Sequence, residues 1–327
     1  MGRKEDKEMT ADIFYFLCQQ VVIFFVPLMI VAIGDLICER SGVLNMGLEG
    51  IMVFGAFCGI IFIRTFQDTM SSGLCIMLAI LISMVAGTLL SSLHAFASIH
   101  LKAEQTISCT AINTFATAFG LFFGRILTGS EKVIFKNTFR IEKVPFLGDI
   151  PVIGPILFQK CYITTFLGVA ILLLATFFLY KTRLGLQMRS CGENPQAADS
   201  VGISVFKMRY LGVLASGALA GLGGLAFIIP TTLTFTSNVS GYGFLAMSVV
   251  VFGRWKPMGI CLGALFFGIT KTLGSAYSVI PFLYDLGIPE AFYKMLPYVA
   301  TLIVLSISSS NSNKPAVAGV PYDKSKR

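Results

Sequence analysis

The chain has 327 residues, 55% of them hydrophobic and 13% charged, with a formal net charge of +8. A soluble domain carries about 25% charged residues, so a mean hydropathy of +0.79 excludes a water-soluble globular domain and marks a chain whose solvent is mostly lipid. The basic residues fall in the gaps between apolar blocks and not on one face interleaved with aromatics, the pattern of a membrane protein and not of a nucleic-acid binder.

Residues 1–12 form a mixed-charge polar tail. The apolar run Ile13–Ile37 is too long for the core of a signal peptide, so it is expected to remain as the first span. After it comes Glu39–Gly50, which sets Glu39, Arg40, Asn45 and Glu49 among three glycines before the shorter apolar run Leu48–Ile63. Ionisable groups at membrane depth face a bundle interior or water and mark pathways, and glycines permit a broken helix. The alternative is a solvated loop with a Glu39–Arg40 ion pair.

The run Leu74–Leu93 ends near His94 and His100, which are six residues apart and do not share a helical face; a structural or interfacial role is expected of them. Within Ser108–Thr117, Thr110, Asn113 and Thr117 are spaced three or four apart and share one face. They can bond across helices or line a path for a hydroxyl-bearing solute; both readings fit. The next span is Thr110–Ile126. Residues 127–160, with Pro145, Pro151 and Pro155, form a loop expected outside, and Tyr162–Tyr180 then runs inward.

Residues 181–209 are the longest polar segment between spans, with an excess of Lys and Arg that puts them in the cytoplasm. Inside this loop the spacing predicts a short helix over Gln196–Gly202, with Asn194 as N-cap, Pro195 in the first turn and Gly202 after the last. On the residues alone, this is equally an ordinary surface helix or a docking element. Tyr210–Pro230 carries two ridges of small residues, including Gly217 and Gly221, that let helices approach closely. Thr231–Ser240 is rich in Thr, Ser and Asn and is expected at the external mouth. Phe244–Phe252 returns to the tight turn at 253–257, Met258–Thr272 goes out, and Phe292–Ile307 comes back. Ser306–Asn313 marks the passage into a disordered basic tail, residues 309–327, on the cytoplasmic side.

A helix needs roughly 20 apolar residues to cross the hydrocarbon core. The runs therefore predict an all-α, polytopic transmembrane helix bundle over residues 13–308, with eight to ten traversals, some short or broken. No dyad alternation suggests a β-barrel. Counting traversals outward from the cytoplasmic loop leaves the side of Met1 open. Cys18, Cys38, Cys58, Cys75, Cys109, Cys161, Cys191 and Cys261 contain no CxxC pair and read as small packing residues. No GxxxxGK[ST] or HExxH string occurs, so the chain has no phosphate-cradling loop or zincin motif of its own.

Three stretches carry a family resemblance. Gln196-Ala197-Ala198 with Gly202 has the spacing of the "EAA…G" loop of ABC importer permeases. The string Gly192-Glu193-Asn194-Pro195-Gln196-Ala197-Ala198 with Gly202-Ile203 is similar to the branch that imports simple sugars, branched-chain amino acids and nucleosides, nearest the nucleoside and simple-sugar permeases. Glu39–Gly50 resembles that family's first signature, and Gly241–Ala246 with Phe252–Gly259 its last. Three residues depart from the pattern: Gln196 replaces the usual acid, Asp35 stands where Glu is common, and Cys109 where Gly is common.

The resemblance implies a permease subunit of an ABC importer that is not itself an enzyme. It binds no cofactor, ATP and Mg being expected on the ATPase. Its partners would be a cytoplasmic ATPase subunit, a second permease chain, an external binding protein or lipoprotein, and membrane lipid, with no nucleic acid. It implies coupling through Glu193, Asn194, Gln196, Ala197, Ala198 and Gly202. The expected pathway residues are Asn45, Glu49, Thr110, Asn113 and Thr117, so the double substitution Asn45→Ala with Asn113→Ala is expected to cut uptake while leaving assembly intact. The cargo is expected to be a nucleoside or a simple sugar, in a prokaryotic plasma membrane. The rival is a stand-alone secondary transporter or channel for a small neutral solute.

Overall fold

The computed structural model describes residues 2–151, 153–277, 280, 286–308 and 313–324. Its helices are α1 (Gly2–Arg40), α2 (Leu48–Phe66), α3 (Ser72–Ala95, prolonged by a π-helical turn Phe96–His100), α4 (Gln105–Thr128), α5 (Ile163–Lys181), α6 (Arg183–Glu193), α7 (Pro195–Ser200), α8 (Val205–Thr231), α9 (Tyr242–Phe252), α10 (Pro257–Ala276) and α11 (Glu290–Ser308). Four short strands complete it: β1 (Val133–Ile134), β2 (Ile141–Lys143), β3 (Gln159–Cys161) and β4 (Thr234–Phe235). β1 pairs antiparallel with β4, and β2 with β3.

Among the described residues, seven helices are long and apolar enough to cross a membrane: α1 from Ile13, α2, α3 with its π turn, α4, α5, α8 and α10. All nine apolar runs in the sequence fall on helices. With 11 residues, α9 reaches only about 16 Å at 1.5 Å per residue, short of the roughly 30 Å core. Residues 232–241, which include β4, precede α9. α11 (19 residues) coincides with the last apolar run of the sequence, Phe292–Ile307.

α1 and α8 lie at the centre, each 78% buried over its span, while α4 and α5 are peripheral at 28% and 22%. The small-residue ridge of α8 is what lets it sit there. A Cβ on Gly221 would overlap the Ser83 carbonyl of α3, and one on Gly55 of α2 would overlap Gly221 itself. Close backbone approach of this kind substitutes for the hydrophobic drive that lipid does not provide.

Contacts sort the loops onto two faces. On one, Lys136 is paired with Asp68 at 2.7 Å, β1 meets β4, and Gln19 of α1 donates to the Pro155 carbonyl at 2.8 Å. On the other lie Arg40, the α3–α4 turn, α6, α7, the turn at 253–256 and residues 313–324. This second face carries Lys102, Lys181, Arg183, Arg189, Lys207, Arg254, Lys256 and Lys314 and is the one expected in the cytoplasm from the sequence of the 181–209 loop. The C-terminal end of α1 lies on this second face, together with the 181–209 loop.

Three expectations are corrected. Residues 2–12 are not a separate tail but the first turns of α1. Residues 313–324 are packed against α6, α7, α8 and the α1–α2 turn instead of disordered; positions 309–312 and 325–327 lie outside the described residues. And α6, which precedes the short helix of the cytoplasmic loop, was not foreseen.

Candidate functional site

The turn between α1 and α2 is held by side chains from three other helices. The Leu44 amide donates to Oε1 of Gln105 at 2.8 Å. The Leu44 carbonyl lies 2.9 Å from Nε2 of His94, and Nδ1 of His94 lies 3.1 Å from the Ser108 hydroxyl. A carbonyl only accepts, so the His94 proton is assigned to Nε2 and the ring accepts from Ser108. Asn45 donates to Ser216 of α8 at 3.1 Å and accepts from the Gly47 amide at 3.2 Å. Asn113 of α4 donates to the Met46 carbonyl at 3.0 Å and accepts from the Gly50 amide at 2.8 Å. Asn113 thus caps the first turn of α2, whose amides would otherwise be orphaned. Both ends of its amide are occupied in doing so.

Glu49 joins two helix N-termini. One carboxylate oxygen accepts from the Gly241 amide at 2.8 Å and the other from the Gly243 amide at 2.7 Å. A Cβ on Gly243 would overlap the backbone of Glu49, so the heads of α2 and α9 touch backbone to backbone. A carboxylate suits this point, because each helix N-terminus carries a partial positive charge. Beside it the Tyr242 ring packs against Phe227, tilted by 31° with centroids 4.0 Å apart, and Lys271 Nζ lies 5.9 Å from the Tyr242 ring centroid. Glu39–Gly50 thus spans the end of α1, the 41–47 turn and the first residues of α2.

Thr106, Thr110, Thr114 and Thr117 form an exposed stripe on α4 next to half-buried Asn113. The hydroxyls of Thr110, Thr114 and Thr117 donate back to carbonyls four residues earlier at 2.8–3.1 Å. Their donors are thereby spent and their oxygens remain free to accept. The structure thus brings Asn45, Glu49 and Asn113 together at one junction, and puts Thr110 and Thr117 on the adjoining open face.

Toward the face that carries Arg40 and α7, a cavity of about 320 Å³ is lined by Glu39, Asn45, Met46, Phe244, Ser248, Trp255 and Lys314, among others. The indole of Trp255 donates to the Glu39 carboxylate, and Arg40 donates to the Trp255 carbonyl at 2.8 Å. Arg254 and Trp255 have φ of 50° and 53°, a region that is strained for such residues; the two bonds from Glu39 and Arg40 hold the turn there. Arg40 does not pair with its neighbour Glu39. It pairs across 3.5 Å with Glu193, at the end of α6.

The helix α7 follows. Asn194 caps it, accepting from the Ala197 amide at 3.0 Å, and Pro195 opens it. Gly202 has φ of +84°, and its amide and that of Ile203 return to Asp199 and Ala198 at 3.0 Å each, closing the C-terminus as a Schellman motif. Pro195 and Ala198 point inward, while Gln196, Ala197 and Ser200 are exposed and Val201 is 74% exposed. In α6 burial pushes the Cys191 thiol pKa up, with the Arg209 guanidinium pulling partly the other way.

His94 was expected in a structural or interfacial role and takes one here, whereas sequence reasoning missed Gln105 and Ser216 at this junction and Arg209 beside Cys191. Each is polar and stands in or at the edge of an apolar run, which was the available signal.

The chain matches the family described as the branched-chain amino acid transport system / permease component over residues 17–305. It is 41% identical over 310 residues to the guanosine ABC transporter permease protein NupQ of Bacillus subtilis, covering 94% of this chain and 96% of that one. It is 39% identical over 307 residues to the nucleoside ABC transporter permease protein NupC of Lactococcus lactis, covering 94% and 96%. It is 31% identical over 301 residues to a putative glucose ABC transporter permease protein, TsgC13, of Haloferax volcanii, covering 90% and 87%. No solved structure matches the chain.

Proposed function

The chain belongs to the branched-chain amino acid transport system / permease component family, and from that premise we propose that it forms half of the translocation path of an ABC importer for nucleosides. A simple sugar is the second cargo class. The chain supplies a path and no engine; ATP and Mg are bound by a separate cytoplasmic ATPase subunit. A second permease chain completes the path, and an external binding protein delivers the solute to the outer face near 232–241.

The observation that carries this reading is α7. A six-residue helix closed at both ends by its own sequence presents Gln196, Ala197 and Val201 outward, while Glu193 just before it is tied to Arg40 at the inner mouth. Such a rigid, outward-facing knob is suited to a cleft in a partner. Glu193, Asn194 and Gly202 fix its shape, Ala198 seats it, and Gln196 and Ala197 meet the ATPase.

In this reading the α2–α9 junction is the hinge of the path. Glu49 and Asn113 hold it closed to slippage, Asn45 faces both the junction and the inner cavity, and Thr110 and Thr117 offer acceptor oxygens to a solute rich in hydroxyl groups. The test of cargo is uptake of labelled guanosine by cells expressing the full transporter, with competition by other nucleosides and by glucose. Nucleosides should compete and glucose should not; the reverse order would make the sugar the cargo.

A further inference from the structure

Residues 313–324 follow α11 onto the cytoplasmic face, and there they are bonded to three separate elements. At the docking loop, the Val317 amide donates to the Gly192 carbonyl at 3.1 Å and the Ala316 amide to the Glu193 carboxylate at 3.4 Å. At the α1–α2 turn, the Gly319 amide donates to the Gly42 carbonyl at 3.3 Å. At the α3–α4 turn, Asp323 pairs with Lys102 at 3.0 Å.

The side chains add a packed centre to these bonds. Tyr322 is 5% exposed and clusters with Cys191 of α6, Ala198 of α7, and Val205 and Met208 of α8. Arg209, 1% exposed, donates to the Val320 carbonyl at 3.0 Å and lies 5.9 Å from the Tyr322 ring centroid, within cation–π range. Its Nη2 also lies 3.2 Å from where a Cβ on Gly42 would stand. An isolated helix shorter than about 12–15 residues is marginal in water, so α7 depends on what supports its inner face. That support includes Tyr322, and the segment that carries Tyr322 is also bonded to the turn at the head of α2.

We propose that residues 316–323 are a coupling strap, with Tyr322 and Arg209 as positioning residues, that fastens the ATPase-docking helix α7 to the 41–47 turn. Displacement of α7 by the ATPase is thereby delivered to the α2–α9 junction instead of being absorbed by bending of a free loop. The inference rests on the importer reading above and adds to it a second connection, besides α8 itself, between docking and path.

The test uses the complete transporter, with ATPase subunit, second permease chain and binding protein, reconstituted in vesicles. The readout is labelled guanosine delivered per ATP hydrolysed, with co-purification of the ATPase as the measure of assembly. Tyr322→Ala is expected to lower the delivered-to-hydrolysed ratio by about fivefold or more, measured on those complexes that retain the ATPase; Tyr322→Phe, which keeps the ring, should restore it. An unchanged ratio in an assembled Tyr322→Ala transporter would overturn the strap. Should Tyr322→Ala fail to assemble, the half-exposed pair decides: Lys102→Glu should lower the ratio and Lys102→Glu with Asp323→Lys should recover it, and equal ratios in all three would overturn the strap. A wild-type chain that brings down no ATPase would instead defeat the importer reading itself.

Discussion

Asn113 shows how a polar residue in a membrane helix is to be weighed. Its position on α4 was legible from the sequence, and so were its two readings. Its partners were not, because they are backbone groups of a turn 63 to 67 residues away. With both ends of its amide engaged, Asn113→Ala strands the Gly50 amide and the Met46 carbonyl at about 1–3 kcal/mol for each buried group left unpaired. The detergent-solubilised protein should therefore unfold at a lower temperature, and Asn113→Asp, which keeps the acceptor for Gly50, should lie between. This revises the expectation for Asn45→Ala with Asn113→Ala: loss of uptake should come with loss of stability, and a double variant of unchanged unfolding temperature would contradict the capping role. Cys191 is a second residue-scale case. The thiolate is the reactive form and burial raises the pKa of this thiol, so at a given pH less thiolate is present than in an ordinary cysteine. Alkylation of Cys191 should be slow near neutral pH and accelerate only at alkaline pH; fast labelling of the folded protein near neutral pH would show that the cluster under Tyr322 is open.

At the scale of elements, apolar runs fix helices in lipid with little ambiguity, since a spanning segment must satisfy its backbone internally. That is why all nine runs were found. What the runs do not encode is polar context. α6 is amphipathic and lies outside any apolar block, and residues 316–323 are held by tertiary contacts instead of by their own composition. The capping signals of α7, by contrast, are local, and Asn194, Pro195 and Gly202 occupy the positions that their chemistry favours. Two glycines separate local from tertiary constraint. Gly202→Ala meets no neighbour and is disfavoured by its left-handed φ alone, about 1–2 kcal/mol. It should weaken ATPase binding while leaving the thermal unfolding of the bundle unchanged. Gly221→Ala drives a methyl into the α3 backbone, and overpacking of a close helix contact costs typically about 1–3 kcal/mol. It should lower the unfolding temperature of the whole bundle, and equal effects of the two variants on bundle unfolding would contradict the central seat of α8.

Over the whole molecule the chain reads as a transmission between two faces. Arg40, Glu193, Trp255 and Glu39 link the end of α6 to the cavity beside Glu39, and the 41–47 turn links that cavity to the heads of α2 and α9. The peripheral position of α4 leaves its threonine stripe open to whatever lies beside this chain. If that neighbour is the path shared with a second permease, then Thr110→Ile with Thr117→Ile should reduce uptake with no change in unfolding temperature, because those hydroxyls bond only within their own helix. Normal uptake would place the stripe against lipid. The central claim, that α7 is the seat of a separate ATPase, is tested most directly by co-purification from mild detergent, comparing the tagged wild-type chain with Ala197→Arg. The account predicts ATPase activity in the wild-type eluate and its loss in the variant, with the bundle still folded. A wild-type chain that purifies alone and still transports without ATP would contradict it, making α7 an ordinary surface helix of a stand-alone transporter.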